Sequence, residues 1–371
     1  MTLARTPMPD DPTPTQLKEW FDETRYRSLA GQLAAITKQF KSEVFLNCVL
    51  EGLAGRSLLQ RVHQCAVGVD AALPGGFRDK VAVLRKLAPK LDHEFVAIFM
   101  SDFVATFGRN DPAFALESLR VFTVFGSAEF AVRPFIVDDP HSTLATMLEW
   151  TRDPDEKVRR LASEGSRPRL PWGMQLTALV RDPAPTAAIL EALKSDESLF
   201  VRRSVANHLN DITKDHPELV LGRLENWDLD NPKLAWIAKH ACRTLIKRGH
   251  PRALQLFGFG KRADVTAALT LAPTLLSLGD RLATSAVITS TSKKSQRLVV
   301  DYVIHYVKAN GSSAEKVFKW TELELQPGAT VTLTKTQVIR DFTTRKHYAG
   351  HHKVELQVNG QRLASAVFEL R

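Results

Sequence analysis

Apolar residues recur at intervals of three and four from Thr15 to about Phe259, as in Leu29, Leu33, Ile36 and Phe40, a period that gathers them on one face of an α-helix. Turn signals at Pro74-Gly75-Gly76, Asn110-Asp111-Pro112, Asp139-Pro140, Asp153-Pro154, Asp182-Pro183, His216-Pro217 and Asn231-Pro232 cut this stretch into short helices. Proline cannot continue a helical ladder and restricts the residue before it, so each signal is a natural helix boundary. Within the helical region Asp153 and Val158-Arg159-Arg160 recur as Asp196 and Val201-Arg202-Arg203, shifted by 43 residues. A looser third copy follows Asn231-Pro232, with Trp236, Ile237, Ala238, Lys239, His240 and Arg243 on a helix. That period belongs to HEAT-type repeats, whose helix pairs bury their apolar faces only by stacking on neighbours. A curved α-solenoid with basic residues recurring along one side is expected.

After Ala272-Pro273 the pattern changes to short alternating or β-branched runs at 283–289, 297–308, 317–325, 330–334, 353–358 and 362–370. Asn310-Gly311, Pro327-Gly328 and Asn359-Gly360 separate several of them, and Asn-Gly is a strong hairpin signal. Some 95 residues of such strands suggest an immunoglobulin-like sandwich, without the cysteine pair of an antibody domain. The predicted fold class is mostly α: a HEAT-like helical-repeat solenoid over residues 1–274, then a C-terminal immunoglobulin-like β-sandwich over 275–371.

Composition adds limits. Of 371 residues, 44% are hydrophobic and 25% charged, an ordinary globular balance with enough apolar material for a sizeable core. Cys48, Cys65 and Cys242 are odd in number and lack short regular spacing, so neither a disulfide framework nor a zinc cluster is expected, and a reducing, cytoplasmic setting fits. Met1 to Trp20 lacks the basic start and apolar run of a secretion signal, and no later stretch offers about 18 uncharged apolar residues in a row. No membrane contact is expected. The net charge of +9 and sequence pI near 9.5 favour an anionic partner such as nucleic acid. Most of the excess lies at 281–371, with 14 Lys or Arg against 7 Asp or Glu.

Three segments concentrate polar chemistry. The densest runs from Arg159 to Gly173, with Arg159, Arg160, Arg167, Arg169, Glu164 and Trp172. Helical spacing puts Arg160 and Glu164 on one face, and Ser166 to Gly173 would leave the helix as a Pro-rich loop. An exposed ion pair beside a structural loop, or a phosphate-binding catalytic corner, both fit. In Phe125 to Phe135, Glu129 and Arg133 stand four apart among apolar residues. A carboxylate there is costly to desolvate unless a cation meets it, and Arg133 would serve. In Val201 to Asp211, the residues Arg203, Asn207 and Asp211 form a stripe at intervals of four that suits DNA or water equally, while His208 fits a core position rather than a ligand.

With the helical repeats and the strand-rich end, these segments resemble the AlkC branch of the AlkC and AlkD superfamily of HEAT-like-repeat DNA glycosylases. The motifs that carry the resemblance are Ser127-Ala128-Glu129-Phe130-Ala131-Val132-Arg133-Pro134-Phe135, the run from Arg159 through Arg167-Pro168-Arg169-Leu170-Pro171-Trp172, and Val201 to Ile212. The resemblance implies a monofunctional glycosylase that removes cationic N-methylated bases, chiefly N3-methyladenine, and leaves an abasic site. It further implies that Glu129 and Glu164 stabilise the sugar cation and position water, that Trp172 touches the lesion nucleotide, and that Asp211 is a third carboxylate. Double-stranded DNA bearing alkylated bases or abasic sites would be the partner of a monomer that needs no cofactor or metal. Arg133, Arg160, Arg167, Arg169, Arg202, Arg203, Asn207, Lys239, His240 and Arg243 would contact DNA, chiefly its phosphates. Arg345, Lys346 and Lys353, in the basic run Thr343 to Lys353, would grip DNA from the sandwich, and His347, His351 and His352 there are poorly spaced for a metal. A non-catalytic scaffold binding nucleic acid or protein through a basic face is the rival expectation.

Overall fold

The structure, a computed structural model, describes residues 16–260, 262–342 and 345–371. Thr15 and the preceding residues judged for a secretion signal, and Thr343-Thr344 of the basic run, lie outside the described residues. Among those described, sixteen α-helices run from Glu23 to Leu256, and eight strands follow from Val265 to Leu370. No helix among the described residues is long and apolar enough to cross a membrane. The chain divides into two compact units, Met1–Asp215 and His216–Arg371, so the last four helices group with the strands rather than with the helices before them.

In the first unit, the 43-residue repeat persists down to individual hydrogen bonds. Arg159 Nη1 donates to the carbonyls of Asp153 and Pro154, each at 2.9 Å. Arg202 Nη1 donates to those of Asp196 and Glu197, at 2.6 and 2.8 Å. In both copies an arginine in the helix folds back onto the turn that precedes it, satisfying carbonyls that no helix ladder reaches. A second recurring device links successive helix pairs: Arg78 to Asp111, Arg120 to Asp153 and Arg159 to Asp196, at 2.6, 2.8 and 2.7 Å. The turn aspartates thus serve the neighbouring helix pair as well as their own turn. Phe45, Phe99, Phe103, Phe122 and Phe135 fill the interior, each nearly or completely buried.

In the second unit, β1 (Val265–Ala272), β3 (Arg281–Ser290) and β6 (Thr330–Val338) make one antiparallel sheet in the order β1-β3-β6. The other sheet, ordered β2-β8-β7-β4-β5, contains β2 (Leu275–Leu276), β4 (Gln296–Val307), β5 (Ser313–Leu325), β7 (Gly350–Val358) and β8 (Gln361–Leu370). Leu282, Ala286 and Ile288 from the first sheet share a core with Val300, Ile304, Val354 and Leu356 from the second. The strands therefore begin at Val265, ten residues before the expected boundary at 275, and β1 falls within the span assigned to the helical-repeat domain. Two register shifts, at Val300/Asp301 and Leu356/Gln357, bring the buried side chains of Asp301 and Gln357 together. Gln357 Nε2 donates to Asp301 Oδ2 at 3.2 Å and to the carbonyl of Lys247 at 2.9 Å, tying the sheet to the helix Arg243–Lys247 of the same unit. Close approach at Gly249 and Gly360 does the same work. A Cβ on Gly249 would stand 2.6 Å from Gly360 Cα, and φ is positive at both.

Candidate active site

Two stacked helices carry most of the polar chemistry. The helix Glu156–Gly165 starts at Asp155, whose carboxylate caps the Lys157 amide, and holds Arg160 and Glu164 one turn apart. The helix Leu199–Ile212 starts at Ser198 and contributes Ser204 and Asp211. Glu129 lies in the turn before the short helix Arg133–Asp138. Gly165 lets these segments meet, since a Cβ at that position would stand 2.5 Å from Val132 Cγ1. Close packing at this point is what brings the helix end bearing Glu164 against the Glu129 turn.

The carboxylates and guanidiniums form one connected network. Arg160 Nη1 donates to Glu129 Oε2 at 2.5 Å and to Ser127 Oγ at 2.9 Å, and Ser127 Oγ donates to the same carboxylate oxygen at 2.6 Å. Arg160 Nη2 lies 3.5 Å from Glu164 Oε1, while its guanidinium carbon stands 4.8 Å from the Phe200 ring centroid. Arg167 Nη1 donates to Glu164 Oε1 at 2.6 Å and its Nε to Asp211 Oδ2 at 2.8 Å. Ser204 Oγ donates to Glu164 Oε2 at 2.6 Å, and Lys214 Nζ to Asp211 Oδ1 at 2.8 Å. Burial alone would pull Arg167 down, yet Glu164 and Asp211 outweigh it and hold the guanidinium above the ordinary arginine range. Buried charges held this way persist because each is met by an opposite charge and several hydrogen bonds. The result leaves one carboxylate oxygen, Glu129 Oε1, without a hydrogen bond among the described residues.

Arg133 has a different role from the one its spacing suggested. It is 0% exposed, and its Nε donates to the Met174 carbonyl at 2.6 Å while Nη1 donates to those of Gly165 and Arg167, each at 2.9 Å. It therefore pins both ends of the loop that carries Arg167 and Trp172, and it is unavailable to phosphate. Burial, then the nearby Arg167 charge, pushes the Arg133 guanidinium down to about 10. Its expected partner Glu129 is instead paired with Arg160, because Glu129 precedes the helix that begins at Arg133 and helical spacing does not apply. His208 is fully buried, as a core histidine should be, and burial pushes it down to about 3. The Ser163 carbonyl, 3.0 Å from Nδ1, can only accept, so the neutral ring carries its proton on Nδ1.

Trp172 sits at the tip of the Arg133-anchored loop, 67% exposed and with φ of +64°, a left-handed conformation rare for a bulky residue. Such strain persists where the surroundings impose it and is concentrated at functional sites. Two cavities meet here. One, of about 330 Å³, is lined by Glu129, Glu164, Arg167, Trp172, Phe95 and Leu58 among others. The other, of about 280 Å³, shares Leu59, Ile98, Ser127, Phe130 and Trp172 with the first. Glu129, Glu164 and Trp172 thus converge on one cavity. Asp211 is not among its lining residues and touches it only through Arg167.

The family model for DNA alkylation repair enzymes matches residues 120–245, the stretch containing this network. The family model for the C-terminal Ig-like domain of the uncharacterised protein YhaZ matches residues 265–371. The uncharacterised protein YhaZ of Bacillus subtilis (strain 168) is 38% identical over 356 residues, covering 95% of this chain and 99% of YhaZ. The solved structure of Pseudomonas fluorescens alkylpurine DNA glycosylase AlkC, bound to DNA containing an abasic site analogue, superposes with a TM-score of 0.91. It is 47% identical and covers 96% of this chain and 99% of that one. The chain belongs to the AlkC-type DNA alkylation repair family.

Among AlkC-type features read from the sequence, the basic residues divide by environment. Arg167 is buried within the network, so its head group is not presented to a phosphate, and Arg202 is half-buried with Nη1 committed to its own turn. Arg169 pairs with Asp215 through two 2.9 Å bonds. The stripe of Arg203, Asn207 and Asp211 breaks up: Arg203 is exposed, Asn207 half-buried and Asp211 buried. In the second unit, Lys239 pairs with Glu322 at 2.5 Å, His240 stacks on Trp236, and Arg243 donates to the His240 carbonyl. Arg345 lies over the Tyr306 ring at 4.7 Å, Lys346 is exposed, and Lys353 pairs with Glu355 at 2.7 Å. His305, Glu315 and Glu355 gather closely enough to hold a metal, but Arg362 and Lys353 already engage these carboxylates.

Several residues of the site escaped the sequence reading. Leu58, Leu59, Phe95 and Ile98 come from earlier helices and carry no polar signal. Ser204 was findable: it occupies the repeat position held by Leu161 in the first copy, where a hydroxyl has no packing purpose. Since Arg203 is exposed and has no ion pair among the described residues, Arg203→Ala is expected to flatten the salt dependence of abasic-duplex binding by roughly 0.9 in log-log slope. The same substitution at the Asp215-paired Arg169 is expected to change the slope less. A salt series on both variants, followed by fluorescence anisotropy, measures this.

Proposed function

We propose that the protein is a monofunctional DNA glycosylase that hydrolyses the N-glycosidic bond of cationic N-methylated bases, with N3-methyladenine as a principal substrate, and leaves an abasic site. The observation that carries this reading is the convergence of Glu129, Glu164 and Trp172 on one cavity in a chain similar over nearly its whole length to an alkylpurine DNA glycosylase. A base alkylated on a ring nitrogen is already positively charged and leaves readily. The protein's task is then to stabilise the oxocarbenium-like sugar and to place water, for which carboxylates fixed in a poorly solvated cleft are suited. Glu129 Oε1, the carboxylate oxygen with no other hydrogen bond, is the group placed to accept a proton from attacking water. Glu164, with both oxygens engaged, contributes fixed negative charge. Asp211 acts through Arg167 as a positioning residue, and the Trp172 indole offers a π face to a cationic lesion. A scaffold that merely gripped phosphates would gain nothing from carboxylates facing an anionic duplex.

The wider reading is of a monomeric cytoplasmic enzyme with a HEAT-like helical region ending near Leu256 and a strand-rich region from Val265 onward. The strand-rich region adds phosphate contacts through Arg345 and Lys346. Incubating the full chain with N-methylated duplex DNA and identifying released bases by mass spectrometry tests the function; absence of released base would refute it. No lysine lines either cavity, and a strand-cutting lyase needs an amine nucleophile. Borohydride is therefore expected to trap no covalent adduct with abasic DNA, as read on a denaturing gel, and a trapped adduct would overturn the monofunctional assignment.

A further inference from the structure

The second cavity is lined by neither Glu129 nor Glu164, so bond cleavage assigns it no task. We propose that it is a product site, which receives the excised methylated purine as a neutral planar heterocycle before the base leaves the protein. This inference rests on the glycosylase reading above. When the C1′–N bond breaks, both its electrons pass to the base nitrogen, while the water oxygen bonds to C1′ and gives up a proton to Glu129. The base that entered as a cation therefore departs neutral. It no longer gains from the carboxylates, and it fits an apolar slot with a few hydrogen-bonding groups better than a charged cleft.

The cavity has that character. It holds about 280 Å³, just below the usual range of about 300–1,000 Å³ for small-molecule sites, which suits a single base. Val62, Ile98, Ala105 and Pro134 supply apolar wall for a ring face. Four polar residues interrupt them, Ser101, Asp102 and Thr106 from the helix Glu94–Phe107 and Ser127 from just before Glu129, and two of these have hydrogen-bonding capacity to spare. Ser101 is 1% exposed, and its Oγ has no hydrogen-bond partner among the described residues. Buried hydroxyls are otherwise nearly always satisfied, so this one calls for an occupant. Asp102 Oδ2 stands 2.9 Å from His63 Nδ1, and Oδ1 has no hydrogen bond among the described residues, leaving an acceptor for the exocyclic amine or a ring N–H of a purine. Burial raises the Asp102 carboxyl above its ordinary range, as expected of an acceptor short of donors. The lining includes no Arg or Lys, and Asp102 would repel phosphate, so a nucleotide or a stretch of backbone is excluded. Because Trp172, Phe130 and Ser127 line both cavities, a base released in one reaches the other by crossing a shared wall.

The experiment uses free 3-methyladenine as the probe, titrated into the full chain with and without abasic duplex and followed by calorimetry. Saturable binding is expected, together with slower multiple-turnover excision and an unchanged single-turnover rate. Ala105→Phe, which fills the slot, is expected to weaken binding at least tenfold while single-turnover base release stays within twofold of the parent. Should Ala105→Phe lose its cooperative melting transition, Asp102→Asn keeps the volume, removes the carboxylate, and is expected to weaken binding about tenfold. No saturable binding by the parent up to the solubility limit, or equal binding by both variants, would overturn the product site. A parent that releases base from methylated DNA yet binds none keeps its function and loses this site. A parent that binds free base yet releases none loses the glycosylase reading and retains the cavity as a heterocycle site.

Discussion

Glu129→Gln is expected to slow single-turnover base release by at least about tenfold, roughly 1.4 kcal/mol of transition-state stabilisation, with no loss of folding. Glu164→Gln is expected to slow it at least as much and also to lower the melting temperature. The difference follows from what each carboxylate holds. Glu129 has one oxygen in the Arg160 and Ser127 cluster and one without a hydrogen bond among the described residues, so an amide of the same shape keeps part of the cluster and forfeits the proton acceptor. Glu164 is nearly buried, with Arg167 on one oxygen and Ser204 on the other. Neutralising it leaves the buried Arg167 with Asp211 alone, and removing one partner of a buried ionic network is costly. Single-turnover rates and thermal melts on both variants decide the matter. Parental rates for both would remove the carboxylates from the mechanism, and a parental melt for Glu164→Gln would show that Arg167 is held by Asp211 unaided.

Local chemistry made the helical part of the fold legible, and non-local pairing concealed the rest. Proline turns and the 43-residue recurrence of Asp and Val-Arg are local signals, and both correspond to hydrogen bonds within a few residues of one another. The sequence of β1, Val-Thr-Ala-Ala-Leu-Thr-Leu-Ala, has no period that separates strand from helix. Its conformation is imposed by β3, which pairs with all eight of its residues. The Asn359-Gly360 hairpin, by contrast, was readable because φ of 44° and 79° is what that dipeptide supplies with little strain. The motifs single out Glu129, Glu164 and Trp172, which line one cavity, but the pairing of charges around them was not legible. Spacing of four implies a shared face only inside a helix, and Glu129 lies outside one. Even inside a helix, each step of four drifts by about 40°. Two such steps along the helix Leu199–Ile212 carry the stripe from exposed Arg203 to buried Asp211.

Arg133→Met is expected to destabilise the first unit by about 3–5 kcal/mol and to cut base release by roughly a hundredfold under conditions where the variant remains folded. The side chain reaches no cavity carboxylate directly, so the effect must pass through the loop it anchors. Three carbonyls, of Gly165, Arg167 and Met174, accept from one guanidinium. Methionine preserves much of the volume but leaves all three acceptors without that donor in a buried setting, where each unmade bond costs about 1–3 kcal/mol. The loop between those anchors holds Arg167 on Glu164 and Asp211, and it keeps Trp172 in its left-handed conformation. Freed at both ends, the loop relaxes Trp172 to ordinary backbone angles, and the indole leaves the shared wall of the two cavities. Arg133→Lys separates charge from geometry: an ammonium restores the positive charge but cannot span three carbonyls in one plane. It is expected to recover part of the stability and little of the rate. Urea unfolding and single-turnover excision on the two variants measure both quantities. If Arg133→Lys matched the parent in rate, the buried charge alone would organise the site and the three-way clamp would be incidental.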